Sequence, residues 1–333
     1  MPETDLVIIE RDAARQIATV TLNRPDKLNA FSIALRSAVV NAFRTLAGEL
    51  DSVGCIVLTG AGRAFSAGVD LKELGGESGK DRGEATRRLA ADDLDMVGAI
   101  RACPQPVIAA VNGVAITGGF EVVLACDLAI ASSAARFADT HARVGILPTW
   151  GITQRLPRLI GVSRAKEMSY SGRFLDADTA ERWGLVNRVV VPEDLLADAT
   201  SLAADIAGAD RTALAGMKRC YDEGLDMNFA DGRRHEIELS AAICAPSRPK
   251  QSPRGAPLCK NEAAPTSNPL PRADPTDIHT LLRAAGKTAI VTTVHWCTVA
   301  KVSSPGPLYC ARTAGWGSQT RRDRCPKYPA NMA

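Results

Sequence analysis

With 333 residues, 46% of them apolar and 23% charged, the chain has the make-up of an ordinary globular protein long enough to bury a full core, which excludes a peptide module, a disulfide miniprotein and a disordered chain. Its longest run without a formal charge, residues 102–120, is interrupted by two prolines and three glycines, so no membrane-spanning helix is expected. The net charge of +3 hides an asymmetry: residues 246–333 hold 13 Lys and Arg against 4 Asp and Glu, and the rest of the chain holds 27 against 33.

That last stretch also contains 12 of the 19 prolines. The chain therefore divides near residue 245 into an acidic body, expected to be one folded domain over residues 1–245, and a basic, proline-rich tail over 246–333, expected to be poorly ordered. The N-terminus carries acids where a signal peptide needs basic residues, and none of the nine cysteines forms a Cys-x-x-Cys pair. Both features predict a cytoplasmic protein with reduced thiols.

In chain order, residues 6–10 and 17–23 read as neighbouring strands. From Ala34 the apolar positions Leu35, Ala38, Val39, Ala42, Phe43 and Leu46 recur at three- and four-residue steps, which predicts a helix with one apolar face. Ser32 is placed to cap it. Residues 55–59 and 107–111 are short continuous apolar runs, as expected of strands covered on both faces. Over residues 162–244 the one strand signal is 186–191, while helical patterns begin near Asp176, Pro192 and Asp210. Strands alternating with helices predict an α/β fold with a helical C-terminal region. Past residue 245 periodicity fades, apart from one isolated strand signal at 288–295.

Two segments carry chemistry. Gly60-Ala-Gly-Arg-Ala-Phe-Ser-Ala-Gly-Val-Asp-Leu-Lys72 follows the strand at 55–59. It is no dinucleotide fingerprint, because Phe65 stands where a small residue is required. Its small residues Ala67 and Gly68 instead let a backbone amide approach a ligand closely. Asn112-Gly-Val-Ala-Ile-Thr-Gly-Gly-Phe-Glu121 follows the strand at 107–111. Its paired glycines would open a helix whose first amides are unpaired and whose dipole favours negative charge, an oxyanion site in outline. Glu121, three residues past Gly118, shares the face of that amide. A carboxylate beside an oxyanion donor suits proton transfer next to a carbonyl, although a first-turn glutamate also serves simply to complement the helix dipole.

Together and in this order, the two segments closely resemble the crotonase superfamily, the enoyl-CoA hydratase/isomerase family. So do Asn23-Arg-Pro-Asp-Lys-Leu-Asn-Ala30, Cys126-Asp-Leu-Ala-Ile-Ala131, Thr153-Gln-Arg-Leu-Pro-Arg-Leu-Ile-Gly161 and Ala180-Glu-Arg-Trp-Gly-Leu-Val186. The resemblance covers about residues 5–245. It implies a spiral of ββα units that binds a coenzyme A thioester and assembles as a homo-oligomer, a trimer or a hexamer. It also implies two backbone amides, of Ala67 and Gly118, holding the thioester oxygen. A substrate surface over Leu28, Ala67, Gly68, Val69, Asp70 and Gly118 follows on the same ground, with loop capping as the other reading of Asp70. Arg24, Asp127 and Arg155 match family positions read as structural contacts.

Hydratases of this family carry two glutamates around one water, which is added across the double bond. Glu121 matches the first. Aligning Arg136-Phe-Ala-Asp-Thr-His-Ala-Arg-Val-Gly-Ile-Leu-Pro148 puts His141 at the second, and Thr149 and Trp150 where the family has small residues. An imidazole can transfer the proton instead, or it can merely fill space and bond the loop. The resemblance therefore implies hydration of a 2-enoyl-CoA by Glu121 with His141. The other readings are a related acyl-CoA reaction, isomerisation or decarboxylation, and a catalytically weak acyl-CoA-binding protein. No metal or redox cofactor is expected, since coenzyme A is part of the substrate.

The tail is the other departure. After Ile243 prolines recur every few residues and cannot continue a helix, so the closing helix of the family is expected to be missing and the terminus replaced or out of frame. Its basic residues are scattered and its cysteines lack metal-site spacing, which argues against nucleic-acid, membrane or zinc binding.

Overall fold

In a computed structural model of the chain the described residues are 5–70, 73 and 94–244. All of them belong to one compact unit. The expectations for residues 246–333, including the isolated strand signal, lie outside the described residues.

Strands β1 (Val7–Asp12), β2 (Ile17–Leu22), β3 (Cys55–Gly60), β5 (Val107–Val111), β7 (Leu128–Ser132) and β10 (Arg188–Val190) form a six-stranded sheet in the order β1-β2-β3-β5-β7-β10. It is parallel except for the antiparallel β1–β2 pair. Strands β4 (Ala64–Ser66), β6 (Val114–Ile116), β8 (Arg136–Ala138) and β9 (Leu175–Asp176) form a second sheet in that order, with only β9 antiparallel. The chain steps from the large sheet to the small one three times, as β3–β4, β5–β6 and β7–β8. After α1 (Ile33–Ala47), the described helices α2 (Met96–Ala102), α3 (Gly118–Ala125) and α4 (His141–Val144) each follow one such pair. This is the expected ββα repeat, and it brings the ends of β4, β6 and β8 together.

The apolar runs form strands because both faces are covered. Ile56, Leu58, Val107, Ala109 and Val111 pack into the main core with residues of α1, α2 and α3. Their neighbours Cys55, Val57, Ile108 and Ala110 point to the opposite face, where α8 (Leu195–Ala207) lays Leu195, Ala199, Ala203 and Ala207 across the sheet. That four-residue spacing is one stripe of a helix. The stripe is small because the backbones are close: a Cβ on Gly54 would lie 2.9 Å from Ala207 Cα.

The cap expected at Ser32 is present, and two of the helix starts read from the sequence are capped as well. Ser32 accepts from the Leu35 amide at 3.2 Å, Asp176 caps α7 (Ala177–Trp183), and Asp210 caps α9 (Arg211–Gly224). Helices α5 (Ile152–Ile160) and α6 (Val162–Ser171) fill the interval before β9. Helix α10 (Phe229–Cys244) packs on α9 and is the last described element.

Candidate active site

The site is built where the end of β4, the start of α3 and the start of α4 converge. Thr117, between β6 and α3, has φ +53°. A β-branched residue there costs roughly 1–3 kcal/mol. It is pinned by its amide donating to the Ala138 carbonyl at 2.8 Å and by its hydroxyl bonding that of Thr140. The turn lets α3 start abruptly, leaving its first amides without helical partners. The paired glycines are required by contact: a Cβ on Gly119 would sit 2.3 Å from the Ser66 carbonyl oxygen. Gly68, at φ +85°, lies so close that its Cβ would be 3.0 Å from the Gly118 nitrogen.

One expected donor is corrected here. The Ala67 amide already donates to the Leu28 carbonyl at 2.9 Å, so it is not directed at a ligand. The segment runs parallel to Phe31, whose amide donates to the Gly68 carbonyl at 2.8 Å and whose carbonyl accepts from Asp70 at 3.1 Å. Strand alternation between those bonds turns the Val69 amide away from Phe31 and toward α3. A Cβ on Gly118 would lie 3.4 Å from a Val69 methyl, so Val69 lies beside the start of α3. Leu28 takes a left-handed conformation at φ +52° at the end of the turn Pro25–Lys27. Asp70 is ion-paired with Arg24 at 2.9 Å, which makes the loop-holding reading a real part of its role.

Glu121 is the one charged residue of α3, a helix buried on all sides, and is 1% exposed. Its Oε1 accepts from the amides of Trp150 at 3.0 Å and Ile152 at 3.2 Å. Burial pushes the carboxyl above the usual range, and His141 and the two amides offset only part of that. Oε2 is left facing His141 Nε2 at 3.6 Å. That gap is too long for a good direct hydrogen bond. The other imidazole nitrogen, Nδ1, is 2.6 Å from Oδ1 of the buried Asp139. Burial works to raise Asp139 as well, but hydrogen bonds from His141 and Ser169 outweigh it and hold its carboxyl below the usual range.

Glu121, His141, Thr117, Val69 and Trp150 line a cavity of about 70 Å³, enough for water. The Trp150 ring closes one wall. It meets Phe31 edge-on at 6.1 Å, lies 5.3 Å from the Arg36 guanidinium, and would be 2.8 Å from a Cβ on Gly118. A larger cavity of about 720 Å³ lies behind Trp150 and is lined by Arg101, Arg155, Lys218 and Asp222 among others. Its charges are largely held in ion pairs, as in Arg101–Asp222 at 3.5 Å and Arg219–Glu223 at 2.8 Å. The smaller cavity is therefore the chemically competent one.

Arg24, Asp127 and Arg155 are structural, as expected: Asp127 accepts from the Val107 amide at 2.7 Å and from Lys218 at 2.8 Å, and Arg155 donates to the Trp150 carbonyl at 2.7 Å. Burial pushes the Cys55 thiol up to about 12 and the Cys103 thiol up to about 11, so neither is a nucleophile. Asp139 is the site residue that sequence reasoning missed. The signal was the spacing Asp139-Thr-His141 in the turn between β8 and α4, where an aspartate side chain bonds the backbone amide two residues on. Among the described residues no group of three or more His, Cys, Asp or Glu is arranged to hold a metal ion.

The profile of a family described as enoyl-CoA hydratase/isomerase matches residues 12–255. A probable enoyl-CoA hydratase of Mycobacterium leprae is 37% identical over 228 residues, 68% of this chain and 86% of that protein. The short-chain-enoyl-CoA hydratase of Clostridium acetobutylicum is 35% identical over 240 residues, 71% of this chain and 88% of that one. In structure, an enoyl-CoA hydratase of Bacillus anthracis matches with a TM-score of 0.66 at 35% identity, covering 72% of this chain and 90% of its own.

Proposed function

The chain belongs to the enoyl-CoA hydratase/isomerase family, and from that membership we propose that it adds water across the double bond of a 2-enoyl-CoA. The observation that carries this reading is the pair Glu121 Oε2 and His141 Nε2, 3.6 Å apart and facing one small cavity beside the start of α3. The amides of Val69 and Gly118 hold the thioester oxygen. As negative charge moves onto that oxygen, two N–H groups and the helix dipole stabilise it. Glu121 takes a proton from the water through Oε2 while the water oxygen bonds to C3. Protonated His141 gives its Nε2 proton to C2. The proton on Glu121 then returns to Nε2 across the gap, which restores both groups and leaves a 3-hydroxyacyl-CoA. The thioester supplies the activation, so the reaction calls for no metal or redox cofactor.

Leu28, Gly68 and Asp70 line the approach of the coenzyme A portion in this reading. In this reading the chain forms a homo-oligomer, a trimer or hexamer, as its family membership suggests, and the exposed Leu147, Tyr170 and Phe229 are apolar side chains that subunit contacts would cover. The four described cysteines are free thiols, which supports a cytoplasmic protein. No helix among the described residues is long and apolar enough to cross a membrane. The test is incubation of the full chain with crotonyl-CoA in ¹⁸O-labelled water. A 3-hydroxybutyryl-CoA carrying one labelled oxygen is the expected product. A shifted double bond without label would make the chain an isomerase, and bound but unchanged thioester would make it a binding protein.

A further inference from the structure

A water-adding site needs one base and one acid around the water, and an acid–base pair of Glu121 and a cationic His141 alone has a flaw. In a buried cavity the two opposite charges would pair with each other, and Glu121 would lose the basicity the reaction needs. The structure contains the group that removes this conflict. Asp139 is 1% exposed, and its Oδ1 lies 2.6 Å from His141 Nδ1 and 3.2 Å from the His141 amide.

We propose that Asp139 is the positioning residue of this site: it holds Nδ1–H of His141 from behind, balances the imidazolium charge, and so presents Nε2 to the cavity as the acid opposite Glu121. The inference rests on the hydratase reading for its catalytic consequence. A carboxylate can only accept, so a proton sits on Nδ1 whenever the pair is bonded, and the second nitrogen is the one that exchanges protons. The bond from the His141 backbone amide to the same oxygen holds the carboxylate in place behind the ring. The charged groups facing His141 are Asp139, from the segment between β8 and α4, and Glu121 of α3. From the elements packed on them, Ser169 of α6 bonds Asp139 and Arg155 of α5 acts on Glu121, while Arg143 of α4 is turned away to the Ser171 carbonyl. No other charged group competes for Nδ1 among the described residues.

A buried Asp–His pair can also be mere packing. What separates the two roles here is the direction of the free nitrogen, which faces the cavity and the one carboxylate of α3 rather than the core.

The experiment combines proton NMR with kinetics on the full chain. A far-downfield imidazole N–H resonance is expected in the parent protein, absent from Asp139→Asn and from His141→Gln. Its absence from the folded parent would overturn the proposal whatever the variants do. On crotonyl-CoA, Asp139→Asn is expected to lower kcat roughly 100-fold with KM within about threefold. The alkaline limb of its kcat profile is expected to move to lower pH, because a neutral amide no longer supports the imidazolium. An Asp139→Asn enzyme with parental kcat and an unmoved profile would overturn the proposal while leaving the hydratase reading intact. Failure of the parent to hydrate any 2-enoyl-CoA would sink that reading instead, and the resonance would still decide whether Asp139 holds His141.

Discussion

At the scale of single residues, Glu121 is tuned for its task at the expense of the fold. Burial outweighs the bonds it accepts from Trp150 and Ile152, so its carboxyl is raised in the folded state. A group raised on folding favours the native state while protonated, and that contribution is lost as pH rises through the folded value. Glu121→Gln keeps the accepting oxygen and removes the charge. It is expected to lower kcat by about 10³-fold or more, yet to unfold at a higher temperature than the parent at neutral pH. The gain should open from about pH 4 upward and vanish below it, as thermal unfolding across pH will measure. A variant less stable than the parent at neutral pH would contradict this reading of Glu121.

At the scale of elements, the site is a meeting of backbones more than of side chains. Strand β4 passes close against the start of α3, and the glycine pair 118–119 exists because a Cβ at Gly119 would collide with the Ser66 carbonyl at 2.3 Å. Gly119→Ala is expected to cost about 3 kcal/mol and to disturb the oxyanion amides, so chemical denaturation and kcat should both fall; retention of both would show that the contact is soft. The long strands and capped helices were legible in the sequence because continuous apolar runs and cap residues such as Ser32, Asp176 and Asp210 are local signals. Strands β4, β6 and β8 were not: each is three residues long, and what makes them strands is pairing with one another across the ββα repeat. Within the site, Glu121 and Gly118 were legible from spacing and His141 from alignment. The Ala67 expectation failed because which amide of residues 67–69 is free depends on partners elsewhere, here Leu28, a residue 39 positions away. Asp139 escaped because a lone acid before a helix reads first as a cap.

At the scale of the molecule, the large sheet separates two cores. One lies under α1, α2 and α3 and carries the site, and the other is closed by the alanine stripe of α8. Strands β3 and β5 belong to both, so the site rests on elements fixed from either side, the rigid support that proton transfer over a few ångströms requires. The cavity walls come from three successive ββα units, which is why residues as distant in sequence as Val69, Glu121 and His141 meet. Glu121 and His141 should therefore act as one device rather than as two independent contributors. The most direct measurement is a double-mutant cycle on crotonyl-CoA hydration with Glu121→Gln, His141→Gln and the two combined. Each single variant is expected to lose about 10³-fold in kcat and the double variant little more than either, as for residues acting as a unit. Losses that multiply, or a His141→Gln enzyme with parental kcat, would contradict the account.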